Sequence, residues 1–242
     1  MSPRRFIAAF VLGIGVAVAS AAPAPSAAAD SGVTLSVSKA EIPFRGQVTV
    51  TAHLATAAEN PVVSIYRTPA GGSPELVASG SVDAGGDLTA TVTLTRTAGF
   101  TAHWDGDSAN APAESAARSV RVHAAIAGAF VSPPYARHGS YRLFRYHGSC
   151  PAAGSGCVVW SVRIRPDHAG EAVTFVLQRR MSGSWRAIAR LSQPLASDSR
   201  ARVRFRYGRA AVGTPLRFVA RFGGDAANLG AATPFAYFRL TS

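Results

Sequence analysis

From Leu35 onward, apolar residues recur at every second position: Leu35/Val37, Val48/Val50/Ala52/Leu54, Val63/Ile65, Leu88/Ala90/Val92/Leu94 and Phe100/Ala102/Trp104. A period of two is the mark of half-buried strands. Between these runs stand Pro43, Asn60-Pro61, Gly71-Gly72, the stretch 83–87 and Asp105-Gly106-Asp107, all turn chemistry. After the first thirty residues no segment keeps a helical period, so the chain is read as all-β.

The second half repeats the first. FTAHWDGDSAN (100–110) aligns without a gap to FVARFGGDAAN (218–228), and the same offset carries Ser115 onto Thr233, Val120 onto Phe238 and Val122 onto Leu240. Upstream, Leu88 to Leu94 resembles Ala201/Val203/Phe205, and Val63/Ile65 resembles Val173/Phe175. Two copies of one unit follow, each of a length suited to seven or eight short strands in a sheet-on-sheet sandwich. The expected organisation is a signal peptide with an Ala/Pro-rich linker over 1–29, one sandwich over 30–123 and a second, arginine-rich sandwich with a cysteine loop over 124–242.

Residues 33–123, with LSVSKAEIPFRGQVTVTAHL early and FTAHWDGD late, resemble the bacterial immunoglobulin-like repeats of secreted and cell-surface proteins. In such repeats an aromatic residue, a Gly-Asp turn and a Ser or Thr precede the last strand, and here these are Trp104, Gly106-Asp107 and Ser115. The second copy keeps Phe222, Gly224-Asp225 and Thr233. Both depart from the family pattern where a tyrosine usually follows the turn, with Asn110 and Asn228 near that place. The resemblance implies two tandem immunoglobulin-like β-sandwich domains with roles in spacing, adhesion or binding and no catalysis of their own.

Composition narrows the class. The 242 residues are 48% hydrophobic and 16% charged, enough to bury a core and unlike a disordered tail. Arg4-Arg5, the apolar run 6–19 and the small-residue sites Ala19-Ser20-Ala21 and Ala27-Ala28-Ala29 read as an export signal. That run is too short to span a bilayer, and no later stretch is long enough, so the mature chain is expected outside the cell, secreted or held at the envelope.

The net charge of +12 is uneven. Residues 30–123 hold six bases and nine acids, whereas 124–242 hold seventeen arginines and four acids. Arginine-favouring codon usage applies to both halves and cannot by itself explain the contrast. Within the second half, Arg200, Arg202, Arg204 and Arg206 alternate with Ala201, Val203, Phe205 and Tyr207, which places four guanidinium groups on one strand face. Arg163/Arg165 and Arg217/Arg221 repeat the device. Guanidinium forks match phosphate and sulfate oxygens in pairs, so these eight residues are the expected site for an anionic polymer. Candidate partners are an anionic cell-envelope polymer, an acidic polysaccharide or extracellular nucleic acid. In the alternative reading the protein is an adhesion or interaction module for another surface protein and the basic face is incidental. Tyr141, Tyr146, Trp160 and Trp185 could add stacking, although Trp160 lies in the apolar run CVVWSV and reads as core.

Other chemistry is sparse. Gly106-Asp107-Ser108 has the look of a hydrolase motif, but Ser108 becomes Ala226 in the repeat, so an Asx turn is expected. Asp105, Asp107 and Asn110 miss the spacing of a calcium loop. Cys150 and Cys157, around PAAGSG, are expected to pair as a disulfide in an exported chain, with a zinc site shared with His138 and His147 the lesser reading. His53, His103, His123 and His168 have no evident acid or base partner in sequence. No cofactor, metal or enzymatic activity is expected.

Overall fold

The computed structural model describes residues 32–55, 58–148 and 157–242. The export signal and Cys150 lie outside the described residues. The first half forms β1 (Val33–Val37), β2 (Glu41–Pro43), β3 (Gly46–Leu54), β4 (Val62–Pro69), β5 (Glu75–Ser81), β6 (Asp87–Leu94), β7 (Ala98–Trp104), β8 (Ala113–Glu114) and β9 (Arg118–His123). The second forms β10 (Ala125–Phe130), β11 (Ala136–His138), β12 (Tyr141–Arg145), β13 (Val159–Arg165), β14 (Ala172–Met181), β15 (Ser184–Pro194), β16 (Arg200–Arg204), β17 (Leu216–Gly224), β18 (Leu229–Ala232) and β19 (Ala236–Thr241). Among the described residues the helical content is one short 3₁₀ turn, Arg209–Ala211.

The two halves have one topology. In the first, β1-β3-β6 faces a sheet in which β2, β9, β7, β4 and β5 lie side by side; in the second, β10-β13-β16 faces β12, β19, β17, β14 and β15. Registers repeat residue for residue. Val63 opposes Trp104 as Val173 opposes Phe222, and Ile42 lies parallel to Val122 as Phe144 lies parallel to Leu240. Each half is an immunoglobulin-like β-sandwich. Among the described residues the first half has nine strands and the second ten, above the seven or eight expected, short strands such as β2, β8 and β11 making up part of the excess.

Alternation builds the cores. Val48, Val50, Ala52, Val63, Ile65, Phe100, Ala102 and Trp104 are all buried in one cluster, and Trp160, Phe175, Phe218, Phe222 and Phe238 in another. Trp160 is core, as expected, stacked on Phe218 with centroids 5.1 Å apart. It also dictates Gly128 on the neighbouring strand β10, where an added Cβ would stand 2.4 Å from its ring. Ser115 and Thr233 do the same work in each copy. Ser115 Oγ accepts the Ala102 N–H at 2.9 Å and Thr233 Oγ1 the Ala220 N–H at 3.0 Å, satisfying a buried strand donor.

The sandwiches meet end to end. Ala124 alone separates β9 from β10, and β18 pairs with β9 at Leu229 and His123, which joins the two larger sheets into one of 13 strands. The segment 225–230, a loop and the start of β18, sits on the end of the first sandwich. Thr97 N–H donates to Ala227 O at 2.8 Å and Ala124 N–H to Leu229 O at 2.9 Å. Asn228, 1% exposed, donates its Nδ2 to Thr95 O and Val122 O at 3.0 and 3.2 Å.

Candidate functional site: an arginine face on the smaller sheet

Strand β16 buries Ala201 and Val203 and exposes Arg200, Arg202 and Arg204; Phe205 and Arg206 continue the pattern beyond it. Outward placement is what the energetics require, since a slip of one residue would bury the guanidinium groups. Beside it, β13 buries Trp160, Val162 and Ile164 and exposes Arg163 and Arg165. Register sets Arg163 opposite Arg200, Ser161 opposite Arg202 and Val159 opposite Arg204. On the far side of β13, Ala125, Ala127 and Ala129 oppose Arg165, Arg163 and Ser161. The face is therefore a ridge of arginines beside a low terrace of alanine and serine. Same-face residues along a strand lie roughly 6.5–7 Å apart, a spacing that lets successive guanidinium groups meet successive anionic groups of an extended chain.

The larger sheet takes the rest. Arg217 and Arg221 lie on β17, in the opposite sheet of the sandwich, so the eight arginines do not share one surface. Period two fixes whether a residue faces in or out, but not which sheet its strand joins. Arg217 is caged: its guanidinium lies 4.3 Å from the Trp185 ring centroid and 3.6 Å from that of Phe235, and its Nε donates to Gln178 Oε1 at 2.6 Å. Tyr237 completes the cluster, its hydroxyl 3.4 Å from Arg217 and its ring 5.7 Å from those of Trp185 and Tyr141. Tyr141 in turn packs under Arg239 at 4.7 Å, and Tyr146 packs against the core. Sequence alone does not reveal Phe235, which precedes β19, or Tyr237 on it, because period two marks Phe238 and Leu240 as inward and does not say which residues the neighbouring strands bring to Tyr237.

Acids mark one end of the second sandwich. None of its ten strands carries an aspartate or glutamate; Asp167, Glu171, Asp198 and Asp225 all sit in loops. Strand direction puts all four loops at the joint with the first sandwich, where Phe44 of that sandwich shares a cavity of about 260 Å³ with Arg163, Arg165, Asp167 and Asp198. Asp198 Oδ2 meets Arg200 Nε at 3.2 Å, so the joint end of the ridge is partly neutralised.

The turn residues act as acceptors. Asp107 Oδ1 receives the Ala109 and Asn110 N–H groups and Asn110 Nδ2 at 2.8–2.9 Å, while Oδ2 receives the Glu59 N–H. The Asn110 amide foremost, with these backbone donors, holds the Asp107 carboxyl below its usual range. Gly106 and Gly224 enter the two loops at φ of 79° and 90°, where a Cβ would strike the loop backbone. Four histidines that look partnerless in sequence each meet a carboxylate: His53 with Asp87, His103 with Asp105, His123 with Glu41 and His168 with Asp225, at 2.8 to 3.3 Å. His168 and Asp225 form no relay to a nucleophile, because the nearby Ser199 hydroxyl donates to Asp167 and is 3% exposed. Cys157 is buried and no cysteine among the described residues is free; its expected partner Cys150 lies outside them.

No family model and no curated protein matches the chain. Among solved structures it is similar to the D0-D1 domain of Intimin, at 14% identity and a TM-score of 0.31, over 85% of this chain and 97% of that one. It is also similar to native alpha-2-macroglobulin of Escherichia coli, at 11% identity and a TM-score of 0.32, over 87% of this chain and 14% of the macroglobulin. Likeness this slight carries nothing about role. No helix among the described residues is long and apolar enough to cross a membrane.

Proposed function

We propose that the chain is a non-catalytic extracellular binding module of the immunoglobulin-like repeat kind, with the first sandwich as spacer and the second as receptor for an anionic polymer. The observation that carries this reading is the outward ridge of Arg200, Arg202, Arg204 and Arg206, with Arg163 and Arg165 beside it, on strands that bear no acid. Arg163 stands directly opposite Arg200, a like-charge cross-strand arrangement that costs stability and that Asp198, paired with Arg200 at 3.2 Å, offsets only at the joint end of the ridge. Caged Arg217 and Arg221 on the other sheet are not part of this surface. Teichoic-type polymers, acidic polysaccharide and nucleic acid share the required chemistry, a flexible chain with repeated phosphate, sulfate or carboxylate groups.

Retention on heparin and teichoic-acid columns across a salt gradient tests it. Changing Arg200, Arg202, Arg204 and Arg206 to glutamine is expected to bring elution to lower salt, with each lost phosphate contact reducing the log–log salt slope by about 0.7–0.9. Arg221→Gln on the opposite sheet is expected to elute like the parent. Identical elution of the quadruple variant rejects the ridge and favours an adhesion module whose charge is incidental.

A further inference from the structure

The joint inside the chain is a plug and a socket, and the duplication supplies a second copy of each, which do not meet one another. The plug is the segment 225–230; the socket is formed by Thr95, Thr97, Val122 and His123 at the end of the first sandwich. The repeat carries the plug back onto residues 107–112 and the socket forward onto Gly213, Pro215, Leu240 and Thr241. Strand β7 runs away from the joint and ends at Trp104, so the 107–112 loop lies at the opposite end of the first sandwich. Strand β19 runs away from the joint too, which puts Leu240 at the far end of the second. Burial agrees: Asn228 is buried and Asn110 half-buried; Leu229 and Gly230 are half-buried, and Ala111 and Pro112 are exposed.

At the second socket the described residues leave a cavity of about 480 Å³, lined by Gly213, Leu240, Thr241, Arg239 and the β11–β12 hairpin at His138–Tyr141. Gly213 and Leu240 are the counterparts of Thr95 and Val122, the two residues whose carbonyls hold Asn228; here the Gly213 N–H donates to Leu240 O at 2.8 Å, so that carbonyl already has one donor and Gly213 O is the other acceptor of the pair. The hairpin has no equivalent in the first sandwich and forms an extra wall.

Charge points to the occupant. Around the second plug, the loops at the free end of the first sandwich hold Glu59, Asp83, Asp105 and Asp107, with Asp87 opening β6 and Glu114 on adjoining β8. No lysine or arginine lies in those loops. Around the second socket stand Arg137, Arg142, Arg145, Arg209 and Arg239, with no acid among the described residues. The molecule has an acidic plug end and a basic socket end.

We propose that the acidic 107–112 end of one molecule docks into the basic Gly213/Leu240 end of a second copy, giving head-to-tail strings. Such a contact is heterologous and does not close, so it extends with concentration. It is weaker than the internal joint, for Pro215 lacks the N–H that Thr97 supplies and no covalent link holds the partners together. Opposed poles steer the encounter and make it sensitive to salt.

Sedimentation of the chain carrying both sandwiches, free of polymer, at rising concentration and in low and high salt, is the test. Mass is expected to climb past the dimer in low salt and to fall back to monomer in high salt. The variant Asp105→Asn with Glu114→Gln blunts the plug end, and Arg137→Gln with Arg145→Gln blunts the socket end; all four side chains are exposed. Each variant alone is expected to associate at least tenfold more weakly than the parent. An equimolar mixture retains one good plug and one good socket per pair, so it is expected to form dimers and stop there. A monomeric parent at every concentration, a dimer that persists in both variants, or a mixture that behaves as each variant alone overturns the proposal. None of these residues belongs to the arginine ridge, so failure here leaves the polymer reading standing, and the reverse.

Discussion

Asn228→Ala tests whether the internal joint is held as its geometry says. The side chain is 1% exposed and its Nδ2 donates to Thr95 O and Val122 O. Removing it leaves two acceptors without that donor, at roughly 1–3 kcal/mol for each one left unsatisfied. Its own Oδ1 is buried without a partner, so the substitution also removes one unsatisfied group and offsets part of the loss. The net effect is about 1–3 kcal/mol, which at 1.4 kcal/mol per factor of ten corresponds to roughly 5- to 150-fold more frequent opening. Amide hydrogen exchange reads this directly at Thr97 and Ala124, whose N–H groups cross the joint. Asn110→Ala is the matched control, since Asn110 Nδ2 serves only its own loop through Asp107 at 2.9 Å. Exchange at Thr97 and Ala124 should rise in the first variant and not in the second. Unchanged exchange in Asn228→Ala, or an equal rise in both, refutes the assignment of the joint to Asn228.

Residues 30–123 and 125–242, expressed apart, are each expected to unfold in a cooperative transition, because each encloses its own core; a non-cooperative first fragment refutes this. Mass spectrometry of the exported protein under non-reducing conditions is expected to show Cys150 and Cys157 protected from alkylation as a disulfide, with a stabilisation of about 2–3 kcal/mol lost in the double alanine variant. Two alkylated thiols, or bound zinc, reject it. Acid should weaken the fold below about pH 4. Asp167 is held low by the Ser199 hydroxyl first; in Asp225 burial pushes upward but donors from Asn228, His168 and Ala227 outweigh it. With folded values below the ordinary 3.8, the unfolded chain binds more protons, so their contribution is complete above that value and is lost as pH falls through the folded values. Asp225→Asn should flatten part of the slope, and a stability independent of pH between 5 and 2.5 would refute the assignment.

Strand positions and the duplication were legible because burial has a period of two and the Gly-Asp turn needs the same residues wherever it occurs. Ser115 and Thr233 could be marked without knowing that each satisfies a strand donor. Pairings across long stretches of chain were not legible. His123 meets Glu41 through the parallel β2–β9 contact, and His168 meets Asp225 across a loop that exists to reach the other sandwich. Arg217 looked like one more exposed base because alternation places it outward correctly. Only the sheet order brings Trp185, Gln178 and Tyr237 around it from three neighbouring strands.

Charge segregation gives one further consequence. Seventeen arginines against four acids, all four gathered at the joint, leave the far end of the second sandwich repelling itself, and any anion that binds there stabilises the folded form by mass action. A free polymer and the acidic pole of another copy both qualify, yet they differ in what they stabilise. A polymer on Arg202, Arg204 and Arg206, the part of the ridge away from the joint, touches the second sandwich alone, so in a chain bearing Asn228→Ala, where the joint is loosened, heparin should raise the melting temperature of the second transition more than that of the first. Head-to-tail contact engages the end of each sandwich, so raising protein concentration in low salt should lift both. At about 100 times the dissociation constant either effect amounts to about 2.7 kcal/mol, well within calorimetric reach. If heparin shifted the first transition as much as the second, the ridge would not be its site, and the acid-free strands of the second sandwich would need another explanation.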